Sequence, residues 1–105
     1  MVHRLVVSYG QPADPAAFDT YYREVHAPLA LRQPGLVRLT YGHARPLDPR
    51  QEGPYLVAEL DFDSEAAMGE SMASPEGRAA GADLANFATG GVTLVHFDVQ
   101  QASGA

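Results

Sequence analysis

The two terminal β-like segments of this chain carry apolar residues on both of their faces. In residues 2–9, Leu5 and Val7 alternate against Val2 and Val6; in residues 92–99, Val95, Phe97 and Val99 alternate against Val92 and Leu94. A strand with one solvated face alternates apolar with polar residues. These two segments therefore need cover on both sides of whatever sheet they enter. The intervening sequence supplies helices for one face only. That constraint points to a second copy of the chain on the other face.

The remaining elements follow from period and punctuation. Gly10 and Pro12 end the first strand. Asp14 suits a helix N-cap and Pro15 the first helical position. Phe18, Tyr21, Tyr22, Val25, His26 and Leu29 then recur at helical spacing. Pro28 disturbs this helix near Val25 and His26, because it lacks a donor and restricts Ala27. After Pro34-Gly35, residues 36–45 read as a second strand. A loop follows that is rich in proline, from Pro46 to Pro54. Residues 55–62 form a third strand, with Leu56, Ala58, Leu60 and Phe62 inward and Tyr55, Val57, Glu59 and Asp61 partly solvated. Ser64 and Glu65 open a helix over 64–73, and Ser74-Pro75 opens another over 75–87 with Ala80, Leu84 and Phe87 on one stripe. Gly77 and Gly81 allow close approach to a neighbour while weakening that helix. The order β-α-β-β-α-α-β gives an α+β, ferredoxin-like split βαβ domain with an antiparallel sheet. The domain spans 1–99, and residues 100–105 form a frayed tail.

The 105 residues suit one domain. The chain has no cysteine, lysine or tryptophan. Disulfides, thiol nucleophiles, Schiff bases and phosphate-loop lysines are thereby excluded. With 13 acidic against 7 basic residues and a net charge of −6, neither nucleic acid nor an anionic membrane is an expected partner. The first residues do not read as a signal peptide, and the expected location is cytoplasmic. No Gly-x-Ser-x-Gly or dinucleotide fingerprint occurs.

Tyr9-Gly10, then Asp14-Pro15-x-x-Phe18-x-x-Tyr21-Tyr22-x-x-x-His26-x-Pro28-Leu29, then Pro34-Gly35-Leu36, together resemble the EthD family, named for a protein associated with ethyl tert-butyl ether degradation. Ser74-Pro75-Glu76-Gly77 through Asp83-Leu84-Ala85-Asn86-Phe87 to Gly90-Gly91-Val92 adds to the likeness. The resemblance covers about residues 2–99. It implies a dimeric α+β barrel, a homodimer packed through its sheet faces. The wider superfamily includes cofactor-free monooxygenases, cyclases, isomerases, decarboxylases, haem-handling proteins and members without catalysis, so fold does not name function. The proline-rich 46–54 loop departs from a typical member.

The expected function is action on a small hydrophobic, oxygen-bearing organic molecule in a degradative or secondary pathway, with no bound cofactor and an oxidoreductase among the candidate classes. The alternative is a non-catalytic accessory protein for a partner oxygenase. His26 and Tyr22, four residues apart on one helix face, are the candidate catalytic pair: an imidazole that titrates near neutrality and a phenol that can donate to an enolate. The competing reading makes His26 a helix-end fitting bonded to carbonyls freed by Pro28. Tyr9, Tyr41 and Tyr55 stand on strands, as a cavity rim or as ordinary sheet packing. Asn86 either holds a ligand carbonyl or caps its helix, and Phe87 is a substrate-facing or core aromatic. His3, His43 and His96 lack local ligand spacing, so no metal is expected, and His43 reads as exposed. Asp61, Asp63 and Glu65 read as a solvated helix cap.

Overall fold

The computed structural model describes residues 1–104. Four strands, β1 (His3–Tyr9), β2 (Arg38–His43), β3 (Leu56–Phe62) and β4 (Val92–Asp98), form one antiparallel sheet in the order β2-β3-β1-β4. Helices α1 (Pro15–Tyr21), α2 (Ala27–Ala30), α3 (Glu65–Ala73) and α4 (Pro75–Phe87) complete the fold. Residues 100–104 are exposed and carry no helix or strand, and Ala105 of the expected tail lies outside the described residues.

The three longer helices start where the sequence signals place them. Asp14, Ser64 and Ser74 each accept a hydrogen bond from the backbone N–H three residues on, at 3.0–3.1 Å, satisfying a donor that a helix start leaves free. The strands are shorter than expected at β2 and by one residue at β1, β3 and β4.

The register fixes the two sheet faces. His3, Leu5, Val7 and Tyr9 point with Leu56, Ala58, Leu60 and Phe62 toward the helices, and all eight are buried. Phe18, Tyr22, Met68 and Phe87 close the core over them. The opposite face carries Val6 beside Val95 and Arg4 beside Phe97. Val95 and Phe97 are 53% and 45% exposed. Asp61 lies on this same face but is not solvated as expected: it is buried because Arg4 clasps it through Nε at 2.7 Å and a terminal nitrogen at 3.1 Å, a bidentate pairing.

The largest departure lies around Pro28. The helix does not run on regularly. Residues Tyr22–His26 form a π-helical turn, in which the Ala27 N–H reaches back five residues to the Tyr22 carbonyl. A regular helix would drive the Glu24 carbonyl into the Pro28 ring, and one extra residue in the turn relieves that clash. The turn buries both Tyr22 and His26 and leaves Val25 39% exposed, so Val25 is not on the inward stripe that helical spacing suggested.

The two glycines of α4 have opposite meanings. A Cβ on Gly77 would sit 2.0 Å from the Ser71 carbonyl oxygen and 2.8 Å from the Met72 Cα, whereas one on Gly81 would meet nothing within 4 Å. Gly77 is what lets α4 seat against α3. Gly77→Ala should lower unfolding free energy by about 1–3 kcal/mol through overpacking, while Gly81→Ala should raise it by up to about 1 kcal/mol through helix propensity. Chemical denaturation of the two variants checks the opposite signs.

Candidate active site

Between the sheet and the helices lies a cavity of about 70 Å³. Leu5, Val7, Ala58 and Leu60 form its floor, and Ala80 and Leu84 of α4 form part of a wall. Its polar groups are few: Tyr9, Tyr22, His26 and Gln33, all buried. The space is below the ~300 Å³ typical of drug-sized sites but holds several waters or a small organic group. A larger, more open depression of about 420 Å³ runs along β2, past Tyr41, His43 and Glu59; it contains no buried acid–base pair.

His26 borders that cavity and does not bond carbonyls near Pro28. Its Nδ1 lies 2.9 Å from an Asp83 carboxylate oxygen, and its Nε2 lies 3.4 Å from the Tyr9 hydroxyl. A carboxylate only accepts, so Nδ1 carries the proton and Nε2 presents its lone pair. Asp83 is itself held by two further donors: the Tyr21 hydroxyl at 2.6 Å and the Asn86 amide at 2.9 Å, both to its other oxygen. Burial pushes the Asp83 carboxyl up, but the hydrogen bonds from Tyr21, Asn86 and His26 outweigh it and hold the group below its ordinary value. Burial also drives His26 below the usual imidazole value, against the opposing pull of the Asp83 hydrogen bond and charge. Tyr9 and Tyr22 are both raised, chiefly by burial. At neutral pH the site therefore holds a carboxylate, a neutral imidazole and two protonated phenols. Such an array can take a proton at Nε2 and donate hydrogen bonds from the phenols.

The other expected residues separate. Tyr22 lines the cavity, but His26 takes its orientation from Asp83. Tyr41 is 46% exposed, outside the cavity, with its ring 4.7 Å from that of Tyr22. Tyr55 turns its hydroxyl away to Asp19 at 2.9 Å. Asn86 supports Asp83, and Phe87 is a core ring 4.7 Å from the His26 imidazole. Sequence reasoning missed Asp83 and Gln33. Asp83 stands three residues after Ala80 and four before Phe87, on the stripe assigned to the core. An acid at a buried helical position requires partners, and that signal was available.

A four-stranded antiparallel sheet with helices on one face, here enclosing a buried His–Asp pair over an apolar cavity, defines a ferredoxin-like α+β domain. The EthD domain family matches residues 10–91, and the chain belongs to the EthD family. An uncharacterized 11.0 kDa protein of the thcB-thcC intergenic region of Rhodococcus erythropolis is 44% identical over 97 residues, covering 92% of this chain and 94% of its own. The crystal structure of an EthD family protein from Bacillus halodurans is 31% identical, with a TM-score of 0.88, covering 95% of this chain and all of its own. A dimeric ferredoxin-like protein of unknown function from Thermobifida fusca shares the fold at 18% identity and a TM-score of 0.70, over 94% of this chain and 92% of its own.

Followed by NMR, the His26 imidazole should titrate below the ordinary value of about 6.5. In Asp83→Asn it should move lower still, because the carboxylate charge that favours the imidazolium is lost. The sign for stability follows: the unfolded chain binds this proton more tightly, so stability rises with pH across the window and is lost as pH falls below the ordinary imidazole value. A wild-type His26 titrating above that value contradicts the assignment.

Proposed function

We propose that this protein is a small, cofactor-free acid–base enzyme acting on a hydrophobic organic molecule that carries an acidic C–H or O–H next to an oxygen function. The observation that carries the reading is the His26–Asp83 pair, with Nε2 directed at Tyr9 and an apolar cavity. His26 Nε2 takes the substrate proton. Asp83 holds the correct tautomer and stabilises the imidazolium that forms. Tyr9 and Tyr22, both kept protonated by burial, donate to the oxygen on which negative charge develops. The resulting carbanion, enolate or phenolate is the common entry to oxygenation, cyclisation and isomerisation, and the same phenols would stabilise the enolate left when a carboxylate departs as carbon dioxide. The cavity's size supports a small substrate or one small moiety of a larger one. The cytoplasm is the compartment we assign it to.

The test is solvent deuterium exchange into small ketones, β-dicarbonyls and phenols incubated with the protein. Wild type should catalyse exchange at the acidic position. His26→Gln should lose at least about 100-fold of that rate with the fold and assembly unchanged. Binding of these compounds by wild type without any His26-dependent exchange would instead establish the accessory, ligand-holding reading.

We further propose that two copies associate through the sheet faces opposite the helices. Support comes from Val6, Val95 and Phe97, adjacent across β1 and β4, the last two half exposed. An apolar strip of this kind on a sheet face marks an interface. Phe97→Arg, paired with a Leu47→Arg control at a fully exposed loop position, should convert a dimer to a monomer in light scattering. A wild-type monomer at micromolar concentration contradicts the proposal.

A further inference from the structure

A second cluster of chemistry-bearing side chains lies away from the His26 cavity, where β1, β4 and α3 meet. His3 is the first residue of β1 and Glu65 the first of α3. His96 lies on β4, opposite Leu5, and Asp98 lies opposite His3. The register therefore puts His3, His96 and Asp98 on the same, helix-facing side of two adjacent strands. His3 Nε2 and His96 Nδ1 are 2.8 Å apart. One ligand atom each from His3, Glu65 and His96 falls within 4.8 Å of the others.

We infer that His3, His96 and Glu65 form a binding site for one first-row divalent transition-metal ion of the zinc type, with Asp98 orienting His3 from behind. Asp98 accepts from His3 Nδ1 at 2.7 Å. That bond fixes the His3 tautomer and leaves Nε2 as a lone pair aimed at His96 and at the space the three groups share. A carboxylate behind a histidine is the arrangement that orients imidazole ligands toward metals. His3 is 2% exposed, while His96 and Glu65 are exposed. One ligand is thus rigid and two can adjust. Adjustment is required: two nitrogens bound tetrahedrally at about 2.0–2.1 Å lie about 3.3 Å apart, so His96 must withdraw by about half an ångström and carry its proton on Nε2. The Ser64 cap fixes the start of α3 and holds the Glu65 backbone in place.

Donor chemistry selects the ion. Two imidazoles and one carboxylate, without sulfur, suit zinc and its first-row neighbours, whereas magnesium and calcium take oxygen donors. Three protein ligands leave a fourth position for water. The local pattern His-x-x-x-His is absent, and the site exists only because strand pairing joins residues 93 apart in sequence.

Zinc binding to tag-free protein, by calorimetry, and the visible absorption of the cobalt(II) form test the inference. The expected result is saturation at one equivalent per chain, with tetrahedral-type cobalt bands. His96→Gln should abolish saturable binding. Asp98→Asn should weaken it by about 10- to 100-fold. His43→Gln, at an exposed position on β2, should leave it intact. Absence of saturable zinc binding by wild type overturns the inference. So does binding that survives both His96→Gln and Glu65→Gln, which would belong to the terminal amine with His3. Binding lost in His26→Gln but kept in His96→Gln likewise overturns it.

Discussion

The contact between His26 and Asp83 organises the helical layer. It spans 57 positions in sequence and joins the π-helical turn to the middle of α4. A carboxylate buried to this degree costs several kcal/mol in desolvation unless donors surround it. Asp83 meets that cost with three: Tyr21, His26 and Asn86. Each donor is then fixed as well. The imidazole cannot rotate without breaking its bond, so Nε2 stays directed at Tyr9 and the cavity. Removing one partner of a buried pair leaves the other uncompensated, at about 3–5 kcal/mol. Site geometry and helix packing are thus one constraint.

The π-helical turn is the local counterpart of that constraint. Pro28 makes a regular helix unfavourable at Glu24, and the extra residue in the turn carries Tyr22 and His26 inward together while Val25 turns out. Small residues on α4 do the complementary work. Gly77 admits α3, and Ala80 and Gly81 leave room beside the imidazole. A bulkier α4 would fill the space that the imidazole faces. The weakness that glycine brings to a helix is here the condition for a cavity.

These facts explain what the sequence disclosed and what it did not. Strands and helix starts were legible because they rest on local signals: alternation in 56–62, Asp14-Pro15 and Ser74-Pro75. The uncovered sheet face was legible for the same reason, as a period-2 pattern with no helix left to cover it. His26 was legible as a residue but not in its partnerships. Tyr22 was its neighbour by helical spacing, yet the bond goes to Asp83 on another helix. Tyr41 sits on a strand like Tyr9 and Tyr55 just before one, but only Tyr9 stands on the inner face of a central strand, under the helices. Asn86 reads as a cap in sequence and proves to be a donor to Asp83 in space. Through-space pairing has no period, so the pattern of one segment cannot reveal it.

The same principle separates the histidines. Three of the four each touch one aspartate: His3 with Asp98, His26 with Asp83 and His43 with Asp19. The pairing is therefore not what assigns a role. The second nitrogen and its surroundings do. For His43, the ring is exposed and rests edge-on against Tyr55, so it is a surface fitting in water. For His26, the second nitrogen faces a phenol and an apolar cavity, where burial keeps the ring neutral and its lone pair available. For His3, the free nitrogen meets another imidazole, with a carboxylate close by. Its lone pair meets either the proton of His96 Nδ1 or the cation we infer, with Glu65 close to both. One dyad thus stands in three different environments of the same fold.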